Sequence, residues 1–423
     1  MKKPTVAVVG SGVSGLSAAY ALREQFDVTI FEAERRLGGH ADTYNLQVGD
    51  SQKVPVDIAF IGFRRASYPA LHRMFEELRV SSRDVTARFR ILCGGCGYMN
   101  DISGSITLPS KRPETVLPDI WKQVEVDVAR MTTDLQSLPS NNTALTLGDL
   151  LESGGYSEYF SEHFLIPPAA TWFSIPGPDT RGMPIHFLVN TMGRHGLIGS
   201  DADGWQIVEG GSRTYVDRIA NALPDIRLAT PVQTIIPTTA GVDIVHRSGH
   251  LEHFDKAVVA THADEALRLL DNPSSTQQNI LGAFRYSNNP VTLHTDSRIL
   301  GNAPDRSIPV YFHRSGCGTN AATSVNINLN AIYEIDNETD FIVTTGTGGN
   351  ELISPDTIVA RRHYRHLLHT AESYAAQHCT DKLSSGHLAF AGSYLSGGAL
   401  HEDGCVSGAR AAARISESQP HQP

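Results

Sequence analysis

The chain has 423 residues, enough for two domains each with a sizeable core, and its 40% hydrophobic and 19% charged composition is that of a soluble globular enzyme. With 35 Lys and Arg against 45 Asp and Glu, a formal net charge of −10 and no basic run, it argues against nucleic-acid partners and against attraction to anionic lipid. No apolar stretch is long enough for stable membrane insertion, and five scattered cysteines make no disulfide framework, so the expected location is the cytoplasm.

Met1-Lys2-Lys3 leads directly into the first predicted strand, which is read as leaving no room for a cleavable leader. That strand, Val6-Ala7-Val8-Val9, meets Gly10-Ser11-Gly12-Val13-Ser14-Gly15, then a helix with Ala18, Ala19 and Leu22 on one face. A second strand, Val28-Thr29-Ile30-Phe31, closes on Glu32. This is the pattern of a dinucleotide-binding βαβ unit. Gly10 permits the sharp turn, Gly12 lets backbone approach a pyrophosphate, and Gly15 lets helix and sheet pack closely. The helix opening at Val13 and Ser14 aims its free N–H groups at the phosphates. Glu32, 22 positions after Gly10, is placed to accept both hydroxyls of an adenosine ribose and would repel a 2′-phosphate, which disfavours NADP.

The next stretch, Glu32-Ala33-Glu34-Arg35-Arg36-Leu37-Gly38-Gly39-His40, extends the unit as a cofactor longer than NAD requires. Arg36 can neutralise phosphate charge, and Gly38-Gly39 let the backbone pass beside a ribityl chain, so the expected cofactor is FAD. Further on, Tyr68 to Leu78 predicts a helix, and Arg88–Leu92 and Ile106–Leu108 predict strands joined by a Gly-rich bend that carries Cys93 and Cys96. A redox thiol pair normally opens a helix, and no second pair or histidine cluster accompanies these two in sequence, so no metal site is expected. Thr115 to Leu138 and Leu145 to Glu152 predict helices, and Pro167-Pro168, Pro176 and Pro178 mark irregular connections near Trp172-Phe173.

Tyr215 to Leu223 predicts a helix, and Val232–Ile236, Val242–Val245 and His253–Thr261 predict strands. Leu388 to Ser393 predicts a final strand, after which His401-Glu402 leads into a last helix that Asp403-Gly404 begins. A helix start aimed at a flavin ring edge favours negative charge there, with Asp403-Gly404 as the turn at that edge. The cofactor domain is therefore expected in three pieces, residues 1–62, 205–288 and 371–417, and the substrate domain in two, 63–204 and 289–370. Residues 418–423 read as a disordered tail.

The Glu32-x-x-x-Arg36-x-Gly38-Gly39 segment resembles that of the flavin-containing amine oxidase and phytoene desaturase superfamily. Within it the chain is most similar to a branch of FAD-dependent oxidoreductases, through Gly38-Gly39-His40, Val56-Asp57 with Phe60, Gly204-Trp205, Gly210 to Val216, Leu293 to Asp296, and His401 to Gly404 with Ser407-Gly408. Ala59 stands where relatives have glycine, and Tyr394-Leu395-Ser396 replaces a more aromatic segment. The resemblance covers nearly the whole chain and implies an α/β fold, a Rossmann-like FAD-binding domain with a discontinuous α+β substrate domain. It also implies that Val232 meets the adenine with its backbone, that the turn at Ala260 lies against the cofactor, and that Gly392 lies at the far end.

His294, His401 and Tyr394 are the candidate catalytic residues, with His40 beside the glycine pair as a further proton carrier. Amine oxidases keep a lysine near the strand that here reads Pro290-Val291-Thr292-Leu293-His294, which has none. Its absence leaves hydride-transfer chemistry as the expectation: desaturation, saturation or double-bond isomerisation of a hydrophobic lipid or secondary metabolite. An amine oxidase releasing peroxide and a redox-neutral or structural FAD-binding protein are the alternatives. Trp172, Phe173, Phe187, Leu188, Tyr311 and Phe312 are candidates for an apolar pocket lining. Oligomeric state is open at this level.

Overall fold

A computed structural model describes residues 2–86, 88–102, 112, 114, 116–138, 144–172, 177–194, 204–301, 304–346 and 348–417. Two sheets organise the chain. The first is parallel throughout, with strands in the order Asp225–Arg227, Asp27–Phe31, Thr5–Val9, Lys256–Val259 and Leu388–Phe390. All but the edge strand Asp225–Arg227 read as near-continuous apolar runs because both faces are covered. Val6 and Val8 point to a core shared with Leu16, Ala19 and Ile415, and Ala7 and Val9 point to a core shared with Ile235, Ile244 and Phe254.

The helices Val13–Leu22 and His401–Glu417 cover the first face and lie against each other. Glycines make this approach possible: a Cβ on Gly404 would stand 2.5 Å from Val13 Cγ1, and one on Gly408 2.3 Å from the Ser14 carbonyl oxygen. On the other face lies a small antiparallel sheet, Val232–Pro237, Val242–His246 and Leu251–Phe254. The single strand expected over His253–Thr261 is therefore two. The chain breaks at Asp255, whose carboxylate accepts from the Thr5 backbone N–H at 2.7 Å and from its hydroxyl, pinning the break to the start of the first strand.

The second sheet has seven strands in the order Ile358–Leu368, Arg285–His294, Ile342–Thr345, Thr323–Asn328, Val310–Arg314, Phe89–Cys93 and Met99–Ile102. All pairings are antiparallel except Val310–Arg314 with Phe89–Cys93. Phe89, Phe312 and Val325 share a core with Val124, Phe160, Phe164 and Leu188, so helices between residues 118 and 194 cover that face. Arg285–His294 lies wholly in this sheet, although its first four residues precede the boundary drawn at 288. The hairpin carrying Cys93 and Cys96 closes with Met99–Ile102; the strand expected at 106–108, Phe173 and Pro176, and the tail 418–423 lie outside the described residues. Among the described residues no helix is long and apolar enough to cross a membrane.

Candidate cofactor and substrate site

A cavity of about 740 Å³ opens at the carboxyl ends of the parallel strands and continues to the seven-stranded sheet. Gly10, Glu32 and Ala260 each directly follow a parallel strand, Gly392 stands two residues after another, and all four line the cavity. Gly10 holds φ +100°, and a Cβ there would sit 2.8 Å from the Ala260 oxygen. Gly12 differs: its φ of −62° suits any residue, and a Cβ on it would meet nothing within 4 Å. The space beside Gly12, facing the uncapped start of Val13–Leu22, is a cradle for a phosphate group. Val13 and Ser14 line the same wall.

Glu32 is held in place, one carboxylate oxygen accepting from the Ser11 N–H at 3.0 Å and from the Ser11 hydroxyl, the other from the Glu34 N–H at 2.9 Å. Glu32 lines the cavity beside Ala33, where a ribose would present its hydroxyls. Gly39 and His40 also line the cavity, and Val232 forms the wall beside Pro231. Gly38 lies behind them, donating its N–H to the Ser11 carbonyl at 3.0 Å. Arg36 is not on the lining. The buried Asp42 carboxylate, 3.4 Å away, and the Gly39 carbonyl, 2.7 Å away, draw its guanidinium back onto the turn, so it braces Gly38-Gly39 and leaves the phosphate to the helix start. Gly15 is off the lining too, and serves packing: its Cβ would fall 2.0 Å from the Gly10 oxygen.

At the other end, Gly392, Tyr394 and the run Gly398 to His401 line the cavity. Asp403 and Gly404 do not. The helix starts at His401, two residues earlier than expected, and two residues turn the Asp403 side chain by about 200°. Its carboxylate accepts from the Gly398 and Leu400 N–H groups at 2.9 and 3.0 Å, so Asp403 shapes the loop that lines the cavity, and Gly404 faces Val13 and Ser14.

His401 stacks on Phe60 at 3.7 Å between ring centroids and places Nε2 2.7 Å from the Tyr215 hydroxyl. Burial pushes its pKa down to about 3, so the ring is neutral. Tyr394 is buried against Phe284, burial raises its pKa so that the phenol stays protonated, and its hydroxyl has no partner among the described residues. His294 belongs elsewhere. Asn289 and Val291 face the cavity, so by the two-residue period of a strand Thr292 and His294 point to the opposite face. There His294 Nε2 lies 2.7 Å from the Thr344 hydroxyl and Nδ1 accepts from the Asp296 N–H, a structural role that removes it from the catalytic candidates.

Four further groups complete the cavity: His262, His366, His369 and Tyr364. With His40 and His401 they make a histidine-rich wall, His40 lying 4.7 Å from the Tyr364 ring and 5.1 Å from His366. Burial, then the neighbouring histidines, hold His40 well below its ordinary pKa, and burial lowers His262 and brings His369 to about 3. His40 Nε2 and His262 Nδ1 have no partner among the described residues. Two buried imidazole nitrogens and a buried phenol, all lining one cavity and all unpartnered, fit the polar edge of a bound ring system. The sequence signal for part of this wall is Tyr364-x-His366, the spacing of one strand face. Of the apolar lining candidates only Phe312 reaches the cavity: Phe187 and Leu188 are core behind it, Tyr311 faces the opposite side, and the Trp172 side chain and Phe173 lie outside the described residues.

Residues 8–78 match the family described as NAD(P)-binding Rossmann-like domain. Among curated proteins the chain is 23% identical over 273 residues to (S)-6-hydroxynicotine oxidase of Paenarthrobacter nicotinovorans, 63% of this chain and 62% of that one. It spans less than two thirds of the length of the curated relatives it matches. Among solved structures, cyclohexylamine oxidase from Brevibacterium oxydans IH-35A superposes with a TM-score of 0.71 at 16% identity, covering 98% of this chain and 99% of that one. The CLA-producing fatty acid isomerase from P. acnes superposes with a TM-score of 0.69 at 12% identity over the same shares.

Proposed function

We propose that this chain, whose fold is that of the flavin-containing amine oxidase and FAD oxidoreductase superfamily, is an FAD-dependent oxidoreductase acting on a hydrophobic small molecule. Gly12, Val13 and Ser14 would hold the pyrophosphate, Glu32 the adenosine ribose, and Gly39, His40 and the 398–401 loop the flavin end. When bound, FAD supplies a two-electron acceptor and donor for a hydride. The protein's own part is to bury the substrate carbon beside it, exclude water, and hold neutral hydrogen-bonding groups at the ring edge. His40, His262, His401 and Tyr394 are uncharged at neutral pH for the burial reasons given above, so each can share or pass a proton without bringing charge into the cavity.

One observation carries the substrate class. The seven-stranded sheet presents Phe89, Val310, Phe312, Val325 and Val343 beside the polar Asn289, Thr345, Tyr364, Arg365 and His366, and no lysine lines the cavity among the described residues. Its two carboxylates, Glu32 and Glu265, both belong to the dinucleotide-binding side. An ammonium group in the sheet half would lose its hydration with no counter-charge, a cost of several kcal/mol, whereas an alkyl or alkenyl chain would gain from burial. The fatty acid isomerase fold neighbour is in keeping with this reading, and the cyclohexylamine oxidase neighbour keeps amine oxidation as the second.

The test is anaerobic mixing of the flavin-loaded protein with unsaturated fatty acids and, separately, with primary and secondary amines. Bleaching of the flavin band or formation of an isomerised product with the lipid supports the proposal, the latter assigning redox-neutral turnover. Bleaching with amines alone, followed by peroxide release in air, would overturn the substrate class.

A further inference from the structure

The geometry points to a structural site for a zinc-type divalent cation, built by Cys93, Cys96, Cys317 and His163, away from the cofactor cavity. Their ligand atoms all lie within 4.8 Å of one another. The Cys93 and Cys317 sulfurs are 3.7 Å apart, and the Cys96 sulfur is 3.5 Å from His163 Nε2. A tetrahedral ion with metal–sulfur bonds of about 2.3 Å and a metal–nitrogen bond of about 2.0 Å requires sulfur–sulfur edges of about 3.8 Å and sulfur–nitrogen edges of about 3.5 Å. The Cys93–Cys317 and Cys96–His163 edges already have these lengths, and all the remaining edges are within 4.8 Å.

Three separate pieces of backbone converge to make it. Cys93 and Cys96 lie on the hairpin that ends Phe89–Cys93, where Gly95 comes so close to Cys317 that a Cβ would touch its sulfur at 3.0 Å. Cys317 follows Val310–Arg314, the parallel neighbour in which Arg314 is paired with Cys93. His163 comes from the helical layer, in the π turn Ser161–Leu165, an element often placed at functional sites. Its Nδ1 lies 3.0 Å from the Tyr159 carbonyl and donates there, which leaves the Nε2 lone pair toward the thiols. No metal is expected from sequence because no second thiol pair or histidine cluster adjoins Cys93 and Cys96; the fold instead brings a single thiol, Cys317, from 224 residues beyond Cys93 and a single histidine, His163, from 67 beyond Cys96.

Four protein ligands leave no position open for substrate, and none of the four lines the cavity, so the role is structural. The ion would staple the strands carrying Phe89 and Phe312, two residues of the substrate wall, to the helices that cover them. Cys317 is exposed and gives the ion a route from solvent. A disulfide is the competing use of the thiols, but a 3.7 Å separation is well beyond the bond length of about 2.05 Å, and a Cys93–Cys317 bond would leave Cys96 and His163 without purpose.

The full chain, purified under reducing conditions without chelator, is expected to carry one zinc per chain by inductively coupled plasma mass spectrometry, whatever its flavin content. After chelation, addition of cobalt(II) should give the intense visible bands of tetrahedral cobalt thiolate. Cys317→Ser, at the exposed corner, should lower zinc content and weaken those bands while the protein stays folded by circular dichroism. Reduced wild-type protein that holds no zinc and gives no such bands, or protein kept unreduced that shows a Cys93–Cys317 disulfide in place of metal, overturns the site. Neither readout depends on the flavin or on turnover.

Discussion

Gly12 and Gly15 belong to one motif yet answer to different physics, and substitution separates them. Gly12 has an unstrained backbone and open space where its side chain would grow, so Gly12→Val should change stability by no more than about 1 kcal/mol. It should nonetheless weaken FAD binding roughly 100-fold, about 2.8 kcal/mol, because the new methyls occupy the phosphate cradle. Gly15→Ala drives a Cβ into the Gly10 carbonyl and should cost roughly 3 kcal/mol of stability. Urea unfolding and flavin titration of the two variants check both statements; a Gly12→Val protein that binds FAD like the wild type would contradict the placement of the pyrophosphate. Such glycines are legible in sequence because their spacing encodes backbone shape. His294 is not, because which face a strand residue takes depends on a register that only its partners, Ile342–Thr345 and Ile358–Leu368, determine.

The helix His401–Glu417 shows how two residues of error at an element boundary change the assignment of side chains. The fourth residue of that helix meets Val13, the third caps the preceding loop, and the second reaches a different helix altogether. Glu402 accepts from the Ala70 and Leu71 N–H groups at 2.8 and 2.9 Å, the start of Pro69–Leu78, where a negative charge also meets the positive helix end. Glu402→Ala leaves two donors without their acceptor and should cost about 3 kcal/mol in urea unfolding, with Glu402→Gln losing less. A loss under about 1 kcal/mol for the alanine variant would show that water replaces the carboxylate and that the tie is minor. Most helices and strands of the sequence reading exist within a few residues. The errors fall where a tertiary contact sets the boundary, as Asp255 does by binding Thr5.

Across the whole molecule, buried histidines set the response to acid. Burial lowers His294 from 6.5 to about 4, and His369 and His401 from 6.5 to about 3. The unfolded chain therefore takes up protons near pH 6.5 that the folded chain refuses, and stability complete above that pH is lost as pH falls toward 4. Asp57 opposes them: burial raises it from 3.8 to about 6, so its contribution is complete below pH 3.8 and is lost as pH rises through 6. With His40, His262 and His313 also lowered by burial, the histidines outweigh this one raised carboxylate, so stability falls as pH drops from 6 toward 4. The urea midpoint measured across that range should fall steeply as pH falls; a flat profile would contradict the burial of these rings.

At the same scale the βαβ unit was readable because it is local, whereas the histidine wall and the thiol cluster each draw on segments far apart in the chain. The glycine turn from Gly10 to Ser14 and the residues Gly392 to Tyr394 and Gly398 to His401 line opposite ends of one cavity, which under the proposed function holds a single FAD. Acid release of the bound pigment, with chromatographic identification and quantitation against protein, tests it most directly. FAD is expected at about one per chain, as isolated or after incubation with FAD. A colourless protein that takes up no FAD under those conditions would contradict it.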